Sequence, residues 1–324
     1  MHIHPLDLTD DGVLADAYRI ECAANLEARP GWLGSGHEAR TLGWRADDGW
    51  TNRLLGAWDG ATLLGFAACM TFDDEPDTTW VLVWVEPSHQ GKGLGTALVK
   101  AAEGTSPPST TRFVSSAYRP TLEAVEALGE RFLGPLGYTV ATTETVVELD
   151  LSTANLASVP AVEGYSVSTY VDGVPEQYRE QVGQIKGLVD AEAPNGQLGW
   201  TESTVTPAQY AAELQLWNAQ GFTAIESIAV DVRGDVAAWT CLISFGTGDR
   251  PADIAGTLVL TPHRGHGLGA AVKLACLDRA QGLGTVRRVR TSSDDQNSWM
   301  RAINGSMGFT PVESEVLFRK SRPL

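Results

Sequence analysis

The sequence predicts two similar α/β domains in tandem, and two observations lead to this fold class. A glycine-rich hexapeptide occurs twice, at Gln90–Gly95 and at Arg264–Gly269, so that the second copy starts 174 positions after the first. Each copy follows an apolar run and precedes a helical pattern, so the order is strand, glycine turn, helix. A repeat this long is a whole domain rather than a solenoid unit. Because the chain has 324 residues, we expect an N-terminal domain at 1–155 and a C-terminal domain at 160–324.

The two glycine turns have the composition of an anion-binding site. The first lies between the apolar run 81–85 and a helix from Thr96, and the second between 258–260 and a helix from Ala270. Glycine lets the backbone approach a ligand closely, and the helix that follows begins with unpaired N–H groups. Such a turn is suited to a phosphate or pyrophosphate.

Composition argues against several classes of protein. The formal charge of −16 disfavours nucleic-acid binding, because phosphate contacts need a basic face. The longest apolar runs, such as 63–70, are too short to span a membrane, and the start of the chain has no signal-peptide pattern. The four cysteines are scattered in apolar contexts without a histidine cluster. We therefore expect a cytoplasmic protein without a metal site.

A second block of residues, together with the turns, gives the chain a family resemblance. The first half reads V-x-P-x-x-Q-G-x-G-x-G from Val85, and the second half contains Thr291–Phe309, in which Asn297 precedes a short helix that ends near Gly308-Phe309. This pattern resembles the GCN5-related N-acetyltransferase (GNAT) superfamily over nearly the whole chain, as two tandem copies. The resemblance implies an α/β (α+β) fold in which each half is a mixed, mostly antiparallel sheet flanked by helices.

The resemblance also implies a binding site for acetyl-CoA. In this family the backbone N–H groups of the turn hold the pyrophosphate of coenzyme A, and the preceding strand splays from its neighbour and pairs with the pantetheine. The corresponding positions are Val83, Val85, Gln90, Gly91, Lys92, Gly93, Leu94, Gly95 and Thr96, then Leu258, Val259, Leu260, Arg264, Gly265, His266, Gly267, Leu268, Gly269 and Ala270. Asn297 matches the asparagine that contacts the cofactor in the family.

Acetyl transfer to an amine sets chemical requirements of its own. An amine with a pKa of about 10 must lose a proton before it attacks, so a general base is needed, and a backbone N–H on the splayed strand can stabilise developing negative charge. Asp253 and Glu226 are candidate bases. Many family members have a general-acid tyrosine four residues before the Gly of the Gly-Phe pair; Asn304 holds that position in the second half and Leu133 in the first. Asn304 is therefore the third catalytic candidate.

The two halves differ in the residues that match the family. The region of the first half that corresponds to Asn297, residues 115–132, contains no asparagine. We therefore predict that the second half performs the chemistry and that the first half binds coenzyme A weakly or is structural. The expected activity is transfer of an acetyl group from acetyl-CoA to a small-molecule amine by direct attack in a ternary complex, in a monomer or homodimer.

The glycine turns have three other interpretations. A Rossmann dinucleotide site needs a third glycine after two spacers, and a P-loop needs G-K-[S/T]; neither turn has these features. A non-catalytic acyl-CoA-binding or sensing protein with degenerate sites is the main alternative, and the missing tyrosines favour it. Five tryptophans either line an acceptor pocket or belong to the core: Trp32, Trp44, Trp50, Trp200 and Trp217.

Overall fold

The computed structural model describes residues 2–246 and 249–322. Its strands are β1 (His2–Pro5), β2 (Trp50–Asp59), β3 (Thr62–Phe72), β4 (Thr78–Val85), β5 (Arg112–Arg119), β6 (Thr139–Asp150), β7 (Tyr165–Val171), β8 (Thr223–Asp231), β9 (Val236–Ser244), β10 (Ala252–Val259), β11 (Arg288–Asp294) and β12 (Thr310–Ser321). Its α-helices are α1 (Asp11–Ala28), α2 (His37–Arg45), α3 (Leu94–Thr105), α4 (Leu122–Leu128), α5 (Glu176–Glu192), α6 (Pro207–Ala219), α7 (Leu268–Leu283) and α8 (Ser298–Ser306). None of these helices is long and apolar enough to cross a membrane.

The chain divides into two compact units. Unit 1 contains the residues up to Thr143 together with those from Glu313 onward, and unit 2 contains Glu144–Val312. The last strand of the chain therefore belongs mainly to the unit built from the N-terminal half. The domains predicted at 1–155 and 160–324 describe the repeat in the sequence, and this assignment stays a prediction.

Unit 1 has a mixed, mostly antiparallel sheet in the order β1-β2-β3-β4-β5-β12. Only the β4–β5 pair is parallel among the pairs of this unit. β12 pairs with β5 from Ser314–Arg119 to Ser321–Arg112, and its Val316 and Phe318 are buried in the same core cluster as Leu98 and Phe113. The C-terminal strand thus completes the sheet and the core of this unit.

Unit 2 repeats this arrangement in the order β6-β11-β10-β9-β8-β7. Its one parallel pair is β10–β11, and the other strand pairs of the unit are antiparallel. The strand that completes this sheet, beside β11, is supplied by β6 from the N-terminal part of the sequence. The predicted fold class, two α/β units each with a mixed, mostly antiparallel sheet and flanking helices, is confirmed.

Each unit contains a splay between its two parallel strands. β4 and β5 pair only from Thr78–Arg112 to Trp80–Val114, and β10 and β11 pair only at Ala252–Val289 and Asp253–Arg290. Beyond these pairs the described strands separate. Each splay therefore leaves an unpaired edge on the strand that leads into a glycine turn.

Candidate functional site

Both glycine turns have backbone conformations that glycine alone adopts easily. Gly91 and Gly93 have φ of 71° and 82°, and Gly265 and Gly267 have φ of 83° and 79°, in the left-handed region. A Cβ atom built on any of these four glycines meets no heavy atom of the described chain within 4 Å. The space above each turn is open, and a side chain there would project into it.

The helix beginnings at the two turns leave backbone N–H groups available. Gly93 and Gly267 are the N-cap residues of α3 and α7, and no side chain caps either helix. The first N–H groups of a helix have no partner within the helix, and they lie at the positive end of its dipole. Leu94 and Leu268 bury their side chains in the cores, which anchors the start of each helix.

Polar side chains brace both turns in the same way although their types differ. Gln90 Nε2 donates to the Val85 carbonyl oxygen at 3.1 Å, and Arg264 Nε donates to the Val259 carbonyl oxygen at 3.1 Å. Arg264 also forms an ion pair with Glu192 at the end of α5. Gln90 and Arg264, both predicted as ligand positions, therefore link each glycine turn to the end of the strand that precedes it.

A cavity of about 860 Å³ lies in unit 1. Its walls are the glycine turn at 90–96, the splayed strand segments 81–85 and 115–119, and the inner face of α1. Trp32 and Trp84 line it, whereas Trp44 is buried in a neighbouring core cluster. The volume is in the range of small-molecule and cofactor sites, so the turn opens directly into a space of suitable size.

In unit 2, Asn304 is part of a buried polar pair. Its amide oxygen accepts a hydrogen bond from Lys273 Nζ at 2.6 Å, and both residues are almost fully buried. The amide nitrogen of Asn304 has no hydrogen-bond partner within the described part of the chain. Burial lowers the pKa of Lys273 to about 7. Sequence patterns did not single out this lysine, which lies on α7, the helix that follows the second turn.

Asn297 serves as the N-cap of α8. Its side-chain oxygen accepts from the Met300 N–H at 3.1 Å. A contact of Asn297 with a cofactor stays a prediction.

The two candidate bases have contrasting surroundings. Glu226 is fully buried on β8, where its carboxylate accepts from the Tyr210 hydroxyl and from Trp239 Nε1, the latter at 2.8 Å. Burial raises the pKa of Glu226. Asp253 is 47% exposed at the parallel end of β10, and its carboxylate lies 3.8 Å from Arg250. Asp253 is therefore a partly solvated strand carboxylate, whereas Glu226 is a core residue. A role as base stays a prediction for either.

Several polar residues of the two units were not singled out from the sequence. Arg29 and Arg119 line the unit 1 cavity. In unit 2, burial raises the pKa of Glu144 and of Asp190, and nearby Asp294 adds to the effect at Glu144. Within each unit these residues are far apart in sequence and match no short motif. Only the fold brings Arg29 near Arg119 in unit 1, and Glu144 near Asp190 and Asp294 in unit 2. Across the described residues no group of three or more His, Cys, Asp or Glu is arranged to hold a metal ion.

Comparison with known proteins agrees with this architecture. Residues 18–109 match the model of the acetyltransferase (GNAT) family. A tandem GNAT protein from the clavulanic acid biosynthesis pathway has 21% sequence identity and a TM-score of 0.79, and the match covers 100% of this chain and 99% of that chain. A GCN5-related N-acetyltransferase from Sphaerobacter thermophilus has 20% identity and a TM-score of 0.66, with 99% and 96% covered. No curated protein matched the sequence.

The two units, each with an open glycine turn, have the fold of a tandem GNAT protein. The stretch 18–109 that matches the GNAT family model includes α3 and the first glycine turn. This family match supports an acyltransferase.

Proposed function

We propose that the protein transfers an acetyl group from acetyl-CoA to the amine of a small molecule. The observation that carries this proposal is the unit 1 cavity, into which both an uncapped helix N-terminus and an unpaired strand edge open. An anionic, extended ligand fits this combination, because the turn offers N–H donors to a diphosphate and the strand edge offers backbone groups to an amide-bearing arm.

The residues present fit coenzyme A in both units. Gly91 and Gly93 leave open space where a diphosphate would lie, and Gly265 and Gly267 do the same in unit 2. The segments 83–85 and 258–260 supply the strand edges. When bound, acetyl-CoA supplies a thioester that is activated for acyl transfer.

The chain's own groups would orient the acceptor and receive its proton. The N–H groups of β4 that face the splay are placed to stabilise negative charge on the acyl oxygen, and water must be kept from the thioester by the cavity walls. In unit 2, Asp253 and Glu226 stay the proposed bases and Asn304 the proposed partner of the leaving group, with Lys273 holding its amide oxygen.

The division of labour between the halves is part of the proposal. The sequence favours the second half as the catalytic one because of Asn297. The cavity and the family match in the first half support an acyl-CoA site there as well. A direct attack in a ternary complex within either unit needs no contribution from the other.

A thiol-release assay tests this function. Acetyl-CoA is mixed with the protein and a panel of primary amines that includes amino sugars, amino acids and polyamines. We expect free thiol to appear only when an amine is present, together with an acetylated amine of matching amount.

The non-catalytic alternative has one specific observation in its favour. Asn304 and Leu133, which occupy the family's tyrosine position, are both buried, at 2% and 4% exposure, and neither is an acid. Binding of acetyl-CoA without amine-dependent thiol release across the whole panel would support an acyl-CoA sensor and contradict the enzyme.

A further inference from the structure

Arg119 is a cationic residue of the unit 1 cavity that the protein leaves without a counter-charge. It is the last residue of β5, where this strand has separated from β4, and its side chain is partly buried. Nη1 donates to the Tyr118 carbonyl oxygen at 2.6 Å. Within the described ranges, no carboxylate lies within 4 Å of its guanidinium. A guanidinium has five N–H donors, so most of those on Arg119 are available to a ligand.

Two other arginines of the same cavity are fully paired. Arg29 Nε and Nη2 donate to Glu313 at 2.9 and 2.7 Å, and its guanidinium carbon lies 4.3 Å from the centre of the Tyr118 ring. Arg40 donates to both carboxylate oxygens of Glu21 at 2.8 Å each. Bidentate pairs of this kind fix an arginine in one orientation. The cavity therefore contains two neutralised arginines beside Arg119.

Keeping the Arg119 guanidinium charged in this partly buried position costs free energy unless an anion is bound. Burial and the nearby Arg29 lower the pKa of the Arg119 guanidinium, although arginine stays charged in proteins. The cavity is lined by four arginines, which include Arg131, but by only two glutamates, Glu21 and Glu27. Glu21 is held by Arg40, and Glu27 is exposed on the last turn of α1. With Arg29 paired to Glu313, these residues carry a local excess of one positive charge, in a chain with a net charge of −16.

We infer that the end of the unit 1 cavity beside Arg119 binds a carboxylate of the substrate. The inference rests on the proposed function and narrows it to an amino carboxylate as acceptor or to an acyl group that itself ends in a carboxylate. Arginine is the residue best suited to this task, because its planar fork matches the two oxygens of a carboxylate.

The phosphates of coenzyme A are a different anion source. Arg131 lies in the helical segment that includes Phe132, whose ring atoms come within 3.2 Å of a Cβ built on Gly95 of the glycine turn. Arg131 is therefore the cavity arginine whose neighbour in sequence packs beside the glycine turn. Arg119 instead bonds the Tyr118 carbonyl oxygen and lies near Arg29. Variants of the two arginines separate these roles.

The acceptor arm of the test compares matched probes by tryptophan fluorescence, since Trp32 and Trp84 line the cavity. Glycine, β-alanine, γ-aminobutyrate and glutamate are titrated against their carboxamides, with and without free coenzyme A. The acyl arm compares succinyl-CoA with butyryl-CoA, which has the same chain length and no carboxylate, by calorimetry.

In at least one arm we expect the carboxylate probe to bind tenfold or more tightly than its neutral match. Arg119→Gln should reduce this preference to less than twofold, and Arg119→Lys should retain part of it because the charge remains. Arg131→Gln is the matched control and should keep the preference, even where affinity for coenzyme A falls. If Arg119→Gln instead weakens the binding of CoA but not that of dephospho-CoA, then Arg119 binds the 3′-phosphate of the cofactor. That result would overturn the inference.

Equal binding of charged and neutral probes in both arms, or no binding of any carboxylate probe, would also overturn it. Acetyl-CoA calorimetry on the unaltered protein keeps the two proposals apart. If acetyl-CoA binds and the carboxylate preference is absent, the inference fails while the acyl-CoA site stands. If acetyl-CoA does not bind, the proposed function itself fails.

Discussion

Lys273 is a basic residue in an almost fully buried position. It is 1% exposed on α7, and its ammonium group contacts Asn304 Oδ1 at 2.6 Å. Burial lowers its pKa to about 7, against an ordinary value near 10.4 in an unfolded chain. Between these two values the unfolded state binds more protons than the folded state, so stability rises with pH.

We therefore predict a pH-dependent difference between the protein and Lys273→Met. From about pH 7 to 10 the free energy of unfolding of the unaltered protein should increase relative to that of the variant, with a slope of up to about 1.4 kcal/mol per pH unit. Urea unfolding of both proteins at several pH values, under reducing conditions, measures this difference. A difference that does not change with pH would show that Lys273 is charged equally in both states.

At the scale of single elements, α5 is held by two glycines. Ser203 N–H donates to the Gly187 carbonyl oxygen at 3.0 Å, and Val205 N–H donates to that of Gly183 at 3.1 Å. A Cβ on Gly183 would lie 1.9 Å from the Val205 carbonyl oxygen, and one on Gly187 would lie 2.0 Å from that of Ser203. The segment before α6 therefore approaches the helix too closely for any side chain.

Gly183→Ala and Gly187→Ala should each destabilise unit 2 by about 2–4 kcal/mol, because overpacking and lost hydrogen bonds outweigh the better helix propensity of alanine. Gly282→Ala in α7 is the matched control. Gly282 is exposed and a Cβ there meets nothing within 4 Å, so the change should leave stability unchanged or raise it by up to about 1 kcal/mol. Thermal unfolding measures all three; a neutral Gly187→Ala variant would contradict this packing.

The N-cap of α6 makes a smaller contribution to the free energy of unfolding. The Thr206 hydroxyl accepts from the Gln209 N–H at 3.2 Å, and the Gln209 side chain accepts from the Thr206 N–H at 2.8 Å. Thr206→Ala should lower the free energy of unfolding by about 1 kcal/mol, whereas Thr206→Ser should cost only a few tenths. Equal stabilities of the two variants in urea would argue against the capping box.

At the scale of the whole molecule, the C-terminal residues are structural parts of unit 1. Ser314–Ser321 pair with β5 along its whole length, and Val316 and Phe318 are buried at 0% and 1% exposure. Removing the residues from Glu313 onward should therefore expose the edge of β5 and open a core built mostly from the first half of the sequence.

A chain that ends at Val312 should lose amide-exchange protection at 115–119, the part of β5 that pairs with β12 but not with β4. A control chain that ends at Arg322 retains every β12 pair and should keep it. Hydrogen exchange read by mass spectrometry reports both. Phe318→Ala should cost about 3–5 kcal/mol by the same logic. Protection of β5 that survives the longer truncation would show that the strand is dispensable.

Local sequence patterns were sufficient to predict the features of the fold that both units share. The glycine turns and the helices that follow them depend on short-range backbone chemistry, which a hexapeptide carries. The splay between the two parallel strands of each unit was predicted from the family resemblance. These are the features that the structure reproduces at the predicted positions.

Features that depend on distant residues were not predictable in this way. The pairing of β12 with β5 joins residues about 200 positions apart, and nothing in the pattern of either strand specifies its partner. Glu226 is similar: its burial is compensated by Tyr210 from α6 and Trp239 from β9, which no spacing reveals. Arg119 is a candidate only because Arg29 and Glu313 meet near it in the fold.

The claim on which the rest depends is that the two glycine turns bind acyl-CoA. Isothermal calorimetry with acetyl-CoA on Gly93→Leu and Gly267→Leu tests it directly, because each side chain would fill one open turn. Gly60→Leu and Gly234→Leu are matched controls, since these hairpin glycines also have positive φ and open surroundings and so carry the same backbone strain.

We expect acetyl-CoA to bind the unaltered protein and both controls, and each turn variant to remove or weaken by tenfold or more the binding at its own site. Binding that survives in the double variant Gly93→Leu/Gly267→Leu, or no heat with the unaltered protein, would contradict the account.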